Sequence, residues 1–164
     1  MPTTAELAGE YFATVGRRDL EGMISRWKPG GRSRIVGVVE LTAPHGIREW
    51  FGATFRAFPD FTMSVESIIA EGNRASVCWS ATGTFSGTGE FEGLKPNGAR
   101  IGIEGIDLVT IEDGLLQEIT AILNGADLAR QLGAMPAAGS VAERTMLGVF
   151  NLRTSALARL RGLR

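Results

Sequence analysis

The sequence predicts an α+β domain, with helices packed on one face of a curved antiparallel sheet. Three observations predict it. Apolar residues in the first sixty positions recur mostly at three- and four-residue spacing, those of 61–123 alternate with period two, and short turn signals separate the alternating runs. Helices first and a meander of strands after is the pattern of an α+β fold rather than an alternating α/β one. A chain of 164 residues suffices for one buried core and is short for two.

Thr3 or Thr4 can cap a first helix carrying Leu7, Tyr11, Phe12 and Val15, which Gly16 ends. Asp19 caps a second, through Leu20, Met23, Ile24 and Trp27, terminated by Pro29, Gly30 and Gly31. Residues 34–41 are β-branched and predict a single strand. Thr42-Ala43-Pro44 then opens a third helix with Ile47, Trp50, Phe51, Phe55 and Phe58 on its apolar face, closed by Pro59-Asp60. Four strands are expected at 61–70, 75–85, 100–111 and 115–123. Glu71-Gly72-Asn73 and Glu112-Asp113-Gly114 turn the hairpins, and the glycine-rich stretch 86–98 is a longer connection. A short helix over 127–132, stopped by Gly133, closes the domain. The sequence shows no internal repeat.

The domain is thus expected to span 1–133, and 134–164 to form a small-residue linker and a basic amphipathic helix. Met146, Leu147, Phe150, Leu157 and Leu160 make its broken apolar stripe, and Arg144, Arg153, Arg159, Arg161 and Arg164 stand against Glu143. Such a helix packs on its own domain or a dimer mate more readily than on a membrane or an acidic partner.

A net charge of −1 gives no global pull toward nucleic acid or anionic membrane, and the arginines of 1–133 are scattered without a basic, aromatic-interleaved stripe. Cys78, the single cysteine, excludes an internal disulfide, and no Cys/His spacing offers a zinc site. The apolar run at 35–39 is far too short to span a bilayer, and 1–9 lack a signal-peptide core, so a cytoplasmic location is expected.

Several local motifs follow in a characteristic order and spacing: Tyr11-Phe12 with Arg18-Asp19-Leu20, His45 to Phe51, Phe58-Pro59-Asp60-Phe61 and Gly83-Thr84-Phe85-Ser86-Gly87. They continue through Pro96-Asn97-Gly98, Gly105-Ile106-Asp107-Leu108, Ile111-Glu112-Asp113-Gly114 and Arg130-Gln131-Leu132-Gly133. Together they resemble the SnoaL-like polyketide cyclases of the nuclear transport factor two-like superfamily, over about 4–133. The resemblance implies a cone-shaped α+β barrel, three N-terminal helices around a strongly bent antiparallel sheet that encloses one apolar pocket, and a homodimer formed through the sheet. It implies chemistry without metal or organic cofactor. Asn124 stands where the family carries a catalytic Asp, and Phe85 where it carries a His. An amide can hydrogen-bond an enolate but has no proton to exchange near neutrality.

Asp107 is the strongest acid/base candidate. Strand parity places it with Ile101, Ile103, Val109 and Ile111, and an apolar setting raises a carboxyl pKa toward the range of a general base. Pairing with an arginine, or a polar spot in a dimer face, is its structural alternative; Glu104 has the opposite parity. Asn124, with Thr120 and Ile122, either enters the pocket, as the family match implies, or caps the following helix. Tyr11 is an oxyanion donor or a core tyrosine. His45, the lone histidine, suits a surface role at the start of the third helix. Neither a Cys/His pair nor a serine triad has the motif it needs. Trp50, Phe55, Phe58, Phe61, Met63, Trp79 and Phe85 would line the implied pocket, which suits a hydrophobic ring-containing ligand, or fill a solid core. Three functions follow: enolate or aldol chemistry, a binding protein that has lost the acid/base pair, and an epoxide hydrolase or ketosteroid-isomerase-like enzyme. Glycine-rich 86–98 lacks the Gly-Lys-Ser/Thr of a phosphate loop.

Overall fold

The computed structural model describes residues 1–162. Helices α1 (Thr4–Gly16) and α2 (Leu20–Ser25) lead into strands β1 (Trp27–Ile35) and β2 (Val39–Thr42), then helix α3 (His45–Ala57). Strands β3 (Thr62–Glu71), β4 (Arg74–Thr84), β5 (Arg100–Glu112) and β6 (Leu115–Leu123) follow, then helices α4 (Gly125–Gln131) and α5 (Val141–Gly162).

Helix starts are written in the side chains. Thr3 Oγ1 accepts from Glu6 N at 3.2 Å while Glu6 Oε2 accepts from Thr3 N at 2.7 Å, a reciprocal cap that satisfies two backbone donors. Asp19 Oδ1 accepts from Gly22 N at 2.9 Å, and Arg18 at φ 58° makes the tight corner between α1 and α2.

Six strands form one curved, unclosed sheet in the order β2-β1-β6-β5-β4-β3. Two expectations are corrected here. Residues 34–41 are not one strand: a turn at 36–38 splits them between β1 and β2, and Trp27 to Gly31 belong to β1 rather than to the end of α2. Pro29 and Gly30 read as terminators because one lacks an N–H and the other takes φ 81°. They fall where the β1–β6 register shifts between Trp27 and Arg32, so the bulge absorbs both. Nor is the sheet wholly antiparallel, because β1 runs parallel to β6. All other neighbours are antiparallel, and β4 pairs with β5 without a break from Arg74↔Thr110 to Thr84↔Arg100.

The core lies between the inner face of the sheet and helices α1 and α3. It includes Phe12, Met23, Ile47, Phe58, Val77, Phe85, Val109 and Ile119, all within 2% exposure. The outer face keeps Ile69, Ile106, Leu108 and Ile122 exposed. Helix α5 stands apart: its side chains are exposed except for half-buried Glu143, which meets Arg130 Nη2 at 3.2 Å and Gly139 N at 2.6 Å. Among the described residues no helix is long and apolar enough to cross a membrane.

Candidate active site

Between α1, α3 and the sheet lies a cavity of about 90 Å³, with walls mostly of aromatic and branched side chains. Among the described residues, Asp107 on β5 supplies the one carboxyl of its lining, Tyr11 on α1 supplies a phenol, and no lysine, arginine or histidine lines it.

Asp107 is 7% exposed and faces inward, as its strand parity requires. On the neighbouring strand Val77 is its register partner and Trp79 pairs with Gly105. The Trp79 indole therefore crosses the bare backbone of Gly105, and its Nε1 donates to Asp107 Oδ1 at 2.7 Å. Burial pushes the carboxyl pKa up to about 6, with the indole hydrogen bond acting against that rise. Asp107 Oδ2 makes no side-chain hydrogen bond among the described residues. Tyr11 is 3% exposed and packs edge-on against Trp27 at 6.0 Å. Burial raises its pKa above the ordinary phenol value, and the Asp107 charge adds to the rise, so it stays a hydrogen-bond donor at all ordinary pH.

Of the expected ligand-facing residues, Trp50, Phe58, Phe61, Met63 and Trp79 line the cavity with Asp107 and Tyr11. Phe55, Phe85, Thr120, Ile122 and Asn124 do not. Phe55 is half-buried against Phe51 and Phe61, and Phe85 is fully buried, stacked on Phe58 at 5.1 Å. On β6 the inward parity belongs to Ile119, Ala121 and Leu123, so Thr120 and the 48%-exposed Ile122 look outward. Asn124 is exposed and caps α4, its Oδ1 accepting from Asp127 N at 3.0 Å. Of the two alternatives for Asn124 the structure takes the cap, and Thr120 and Ile122, on the same face, leave the pocket with it. Period-two counting from the buried Ile119 gives the inward set directly.

Sequence reasoning also missed Ser33, Thr54 and Phe91. Thr54 is spent on Trp50 O at 2.9 Å. Ser33 alternates inward between Gly31 and Ile35 beyond the β1 bulge, but a small hydroxyl side chain carries no apolar signal; Phe91 lies in the irregular connection between β4 and β5, which has no period. Outside the cavity, the His45 side chain is 80% exposed beside Glu49 at 3.2 Å. Glu104 is exposed on the outer face. Asp60 is occupied by Thr84 N at 2.6 Å and Thr84 Oγ1 at 2.7 Å, bonds that hold its carboxyl below the usual range. Neither carboxylate joins Asp107 in the cavity. Among the described residues, no three His, Cys, Asp or Glu side chains gather to hold a metal ion.

Residues 7–132 match the family model of the SnoaL-like polyketide cyclases. The chain belongs to that family. This SnoaL-like chain is similar to AclR of Streptomyces galilaeus, provisionally described as a hydroxylase. The two are 28% identical, with 81% of this chain and 97% of that one covered and a TM-score of 0.70. A protein of Jannaschia sp. CCS1, provisionally described as a SnoaL-like polyketide cyclase, is 22% identical over 81% of this chain and 93% of its own, with a TM-score of 0.69. SalBIII, an epoxide hydrolase/cyclase-like enzyme of pyran ring formation in salinomycin, is 21% identical over 76% and 92%, with a TM-score of 0.64. The last two show the shared fold. No curated protein matches the chain.

Proposed function

We propose that this SnoaL-like protein catalyses cofactor-independent aldol or enolate chemistry on a hydrophobic, ring-containing carbonyl compound. The observation that carries the reading is Asp107: one carboxyl, buried in an apolar cavity, with a pKa of about 6. As a carboxylate it takes the α-proton of the substrate through Oδ2. The C–H electron pair becomes a carbon–carbon double bond, the carbonyl π pair moves onto oxygen, and the Tyr11 hydroxyl donates to the developing oxyanion. In an aldol closure the enolate carbon then attacks a second carbonyl of the same molecule, and protonated Asp107 returns its proton to the alkoxide. Neither a metal nor an organic cofactor enters this scheme. Asn124, as an α4 cap, has no part in it.

The test is exchange of α-protons for deuterium in aryl β-diketones, followed by NMR. Asp107→Asn should lower the exchange rate by about a hundredfold or more with binding retained; an unchanged rate would refute the base assignment. Asn124 and Phe85, at positions where the family has its acid and its histidine, support a second reading as a non-catalytic binder. Ligand binding with no exchange at any pH would favour that one. Among the described residues a single carboxyl lines the cavity, which counts against epoxide hydrolysis with its paired acids.

The apolar outer face of the sheet, with Ile106, Leu108 and Ile122 about half exposed, supports a homodimer formed through it.

A further inference from the structure

The cavity measures about 90 Å³, whereas a dry apolar cavity that takes up one benzene ring measures about 150 Å³. One wall belongs to neither helix nor sheet. Phe91, 9% exposed, comes from the irregular connection between β4 and β5. Its ring meets Phe58 at 5.2 Å, Trp50 at 6.1 Å and Phe85 at 6.5 Å, edge-on in each case. Three rings set edge-on around a fourth hold any flat ring by the same quadrupole geometry, however that ring is attached.

The connection is tied at both bases. Gly87 N donates to Ala57 O and Thr88 N to Arg56 O, each at 3.0 Å; Asn97 N and Gly98 N both donate to Phe85 O, at 3.2 and 2.8 Å. Gly87 lies so close that a β-carbon there would overlap Arg56 O at 1.7 Å. Between those bases, among the described residues, the backbone of 89–96 pairs only within itself, through Phe91 and Leu94. Among the described residues, one side-chain hydrogen bond fastens them to the body: Trp50 Nε1 to Glu92 Oε1 at 3.1 Å. Glu92 takes φ 48°, a left-handed conformation that costs a residue with a β-carbon.

We propose that Phe91 is an internal stand-in for the ligand, occupying its ring subsite. A flat, uncharged compound of two or more rings displaces the Phe91 side chain and takes its place between Trp50, Phe58 and Phe85, with its reacting end toward Asp107. The vacated space is on the order of one benzene ring. The absence of a cationic side chain from the lining, among the described residues, selects uncharged compounds over carboxylates and phosphates. This inference rests on the reading of the cavity as a ligand site, and not on Asp107 acting as a base.

Calorimetric titration of the full chain with phenol and with 2-naphthol tests it. Phe91→Ala should tighten 2-naphthol by about tenfold, because displacement no longer competes with binding. Glu92→Ala keeps the ring but releases its tether, and should tighten 2-naphthol by about two- to fivefold. Binding by the wild type with no gain in either variant overturns the stand-in and leaves the ligand site intact. No binding of either probe by any of the three proteins overturns both readings together. Weaker binding in Phe91→Ala with normal affinity in Glu92→Ala makes Phe91 a fixed wall of the site, which also overturns the proposal.

Discussion

Gly105 lies directly beneath the Trp79 indole: a β-carbon at that position would stand 2.3 Å from Trp79 Cζ2. The missing side chain on β5 therefore lets a tryptophan on β4 lie across the strand and reach Asp107, two residues further on. One indole N–H then does two things. It fixes Asp107 Oδ1, leaving the other oxygen for a ligand, and it moderates the pKa that burial raises.

Trp79→Phe keeps most of the ring and deletes that donor. The ionised form of Asp107 loses a charge-assisted hydrogen bond, so its pKa should climb above 6 by about one to two units. A carbon-13 NMR titration of the Asp107 carboxyl reads this directly, and the pH midpoint of proton exchange should move with it. A midpoint that stays at its wild-type value would mean that the indole contributes packing alone.

Asp107 also links stability to pH. Its folded pKa of about 6 lies above the ordinary aspartate value of 3.8, so the folded state holds the proton more tightly. The cost of ionising the buried group is absent well below pH 3.8 and complete above 6. For a group 7% exposed, this shift corresponds to about 3 kcal/mol at full ionisation. Asp107→Asn should therefore be the more stable protein at pH 7.5, by up to about that amount. The advantage should shrink as pH falls from 6 toward 4. Urea unfolding of both proteins at several pH values measures it, and a difference independent of pH would contradict the burial of the charge.

Leu108 is 49% exposed on the outer face, beside Ile106 and across from Thr120. Leu108→Glu should leave the fold intact, because the side chain supports no core, and should convert a dimer to monomer by placing a charge in the interface. Sedimentation velocity separates the outcomes. A variant that remains dimeric places the interface elsewhere, and a monomeric wild type removes the dimer altogether.

Much of this arrangement could be read from the sequence. Strands β3 to β6 lie within a residue or so of their expected limits because Gly72 and Gly114, both at positive φ, mark hairpin turns that few other residues would take. Asp107 was legible for a similar reason: its neighbours alternate without interruption along β5. The β1 region was not. Its bulge and its parallel pairing with β6, more than eighty residues later, are tertiary choices that local periodicity does not encode. Asn124 misled because an amide ending a strand serves equally well as a helix cap, and the structure uses it as one. Phe91 gave no signal, since an aromatic in a glycine-rich connection looks like any other surface residue until the fold turns it inward.

Strand β6 touches both halves of the sheet, β1 on one side and β5 on the other. Of the six strands of this sheet it is the last to be synthesised. Before residues 115–123 leave the ribosome, the β1–β2 hairpin and the β3–β5 meander share no ladder, and the cavity lacks the wall of Ile119, Ala121 and Leu123. A nascent chain arrested earlier shows two unjoined apolar surfaces to its surroundings, the state in which chaperones and misassembly compete for it. The pocket is thus absent until residues 115–123 emerge, when a single strand bridges segments made long before.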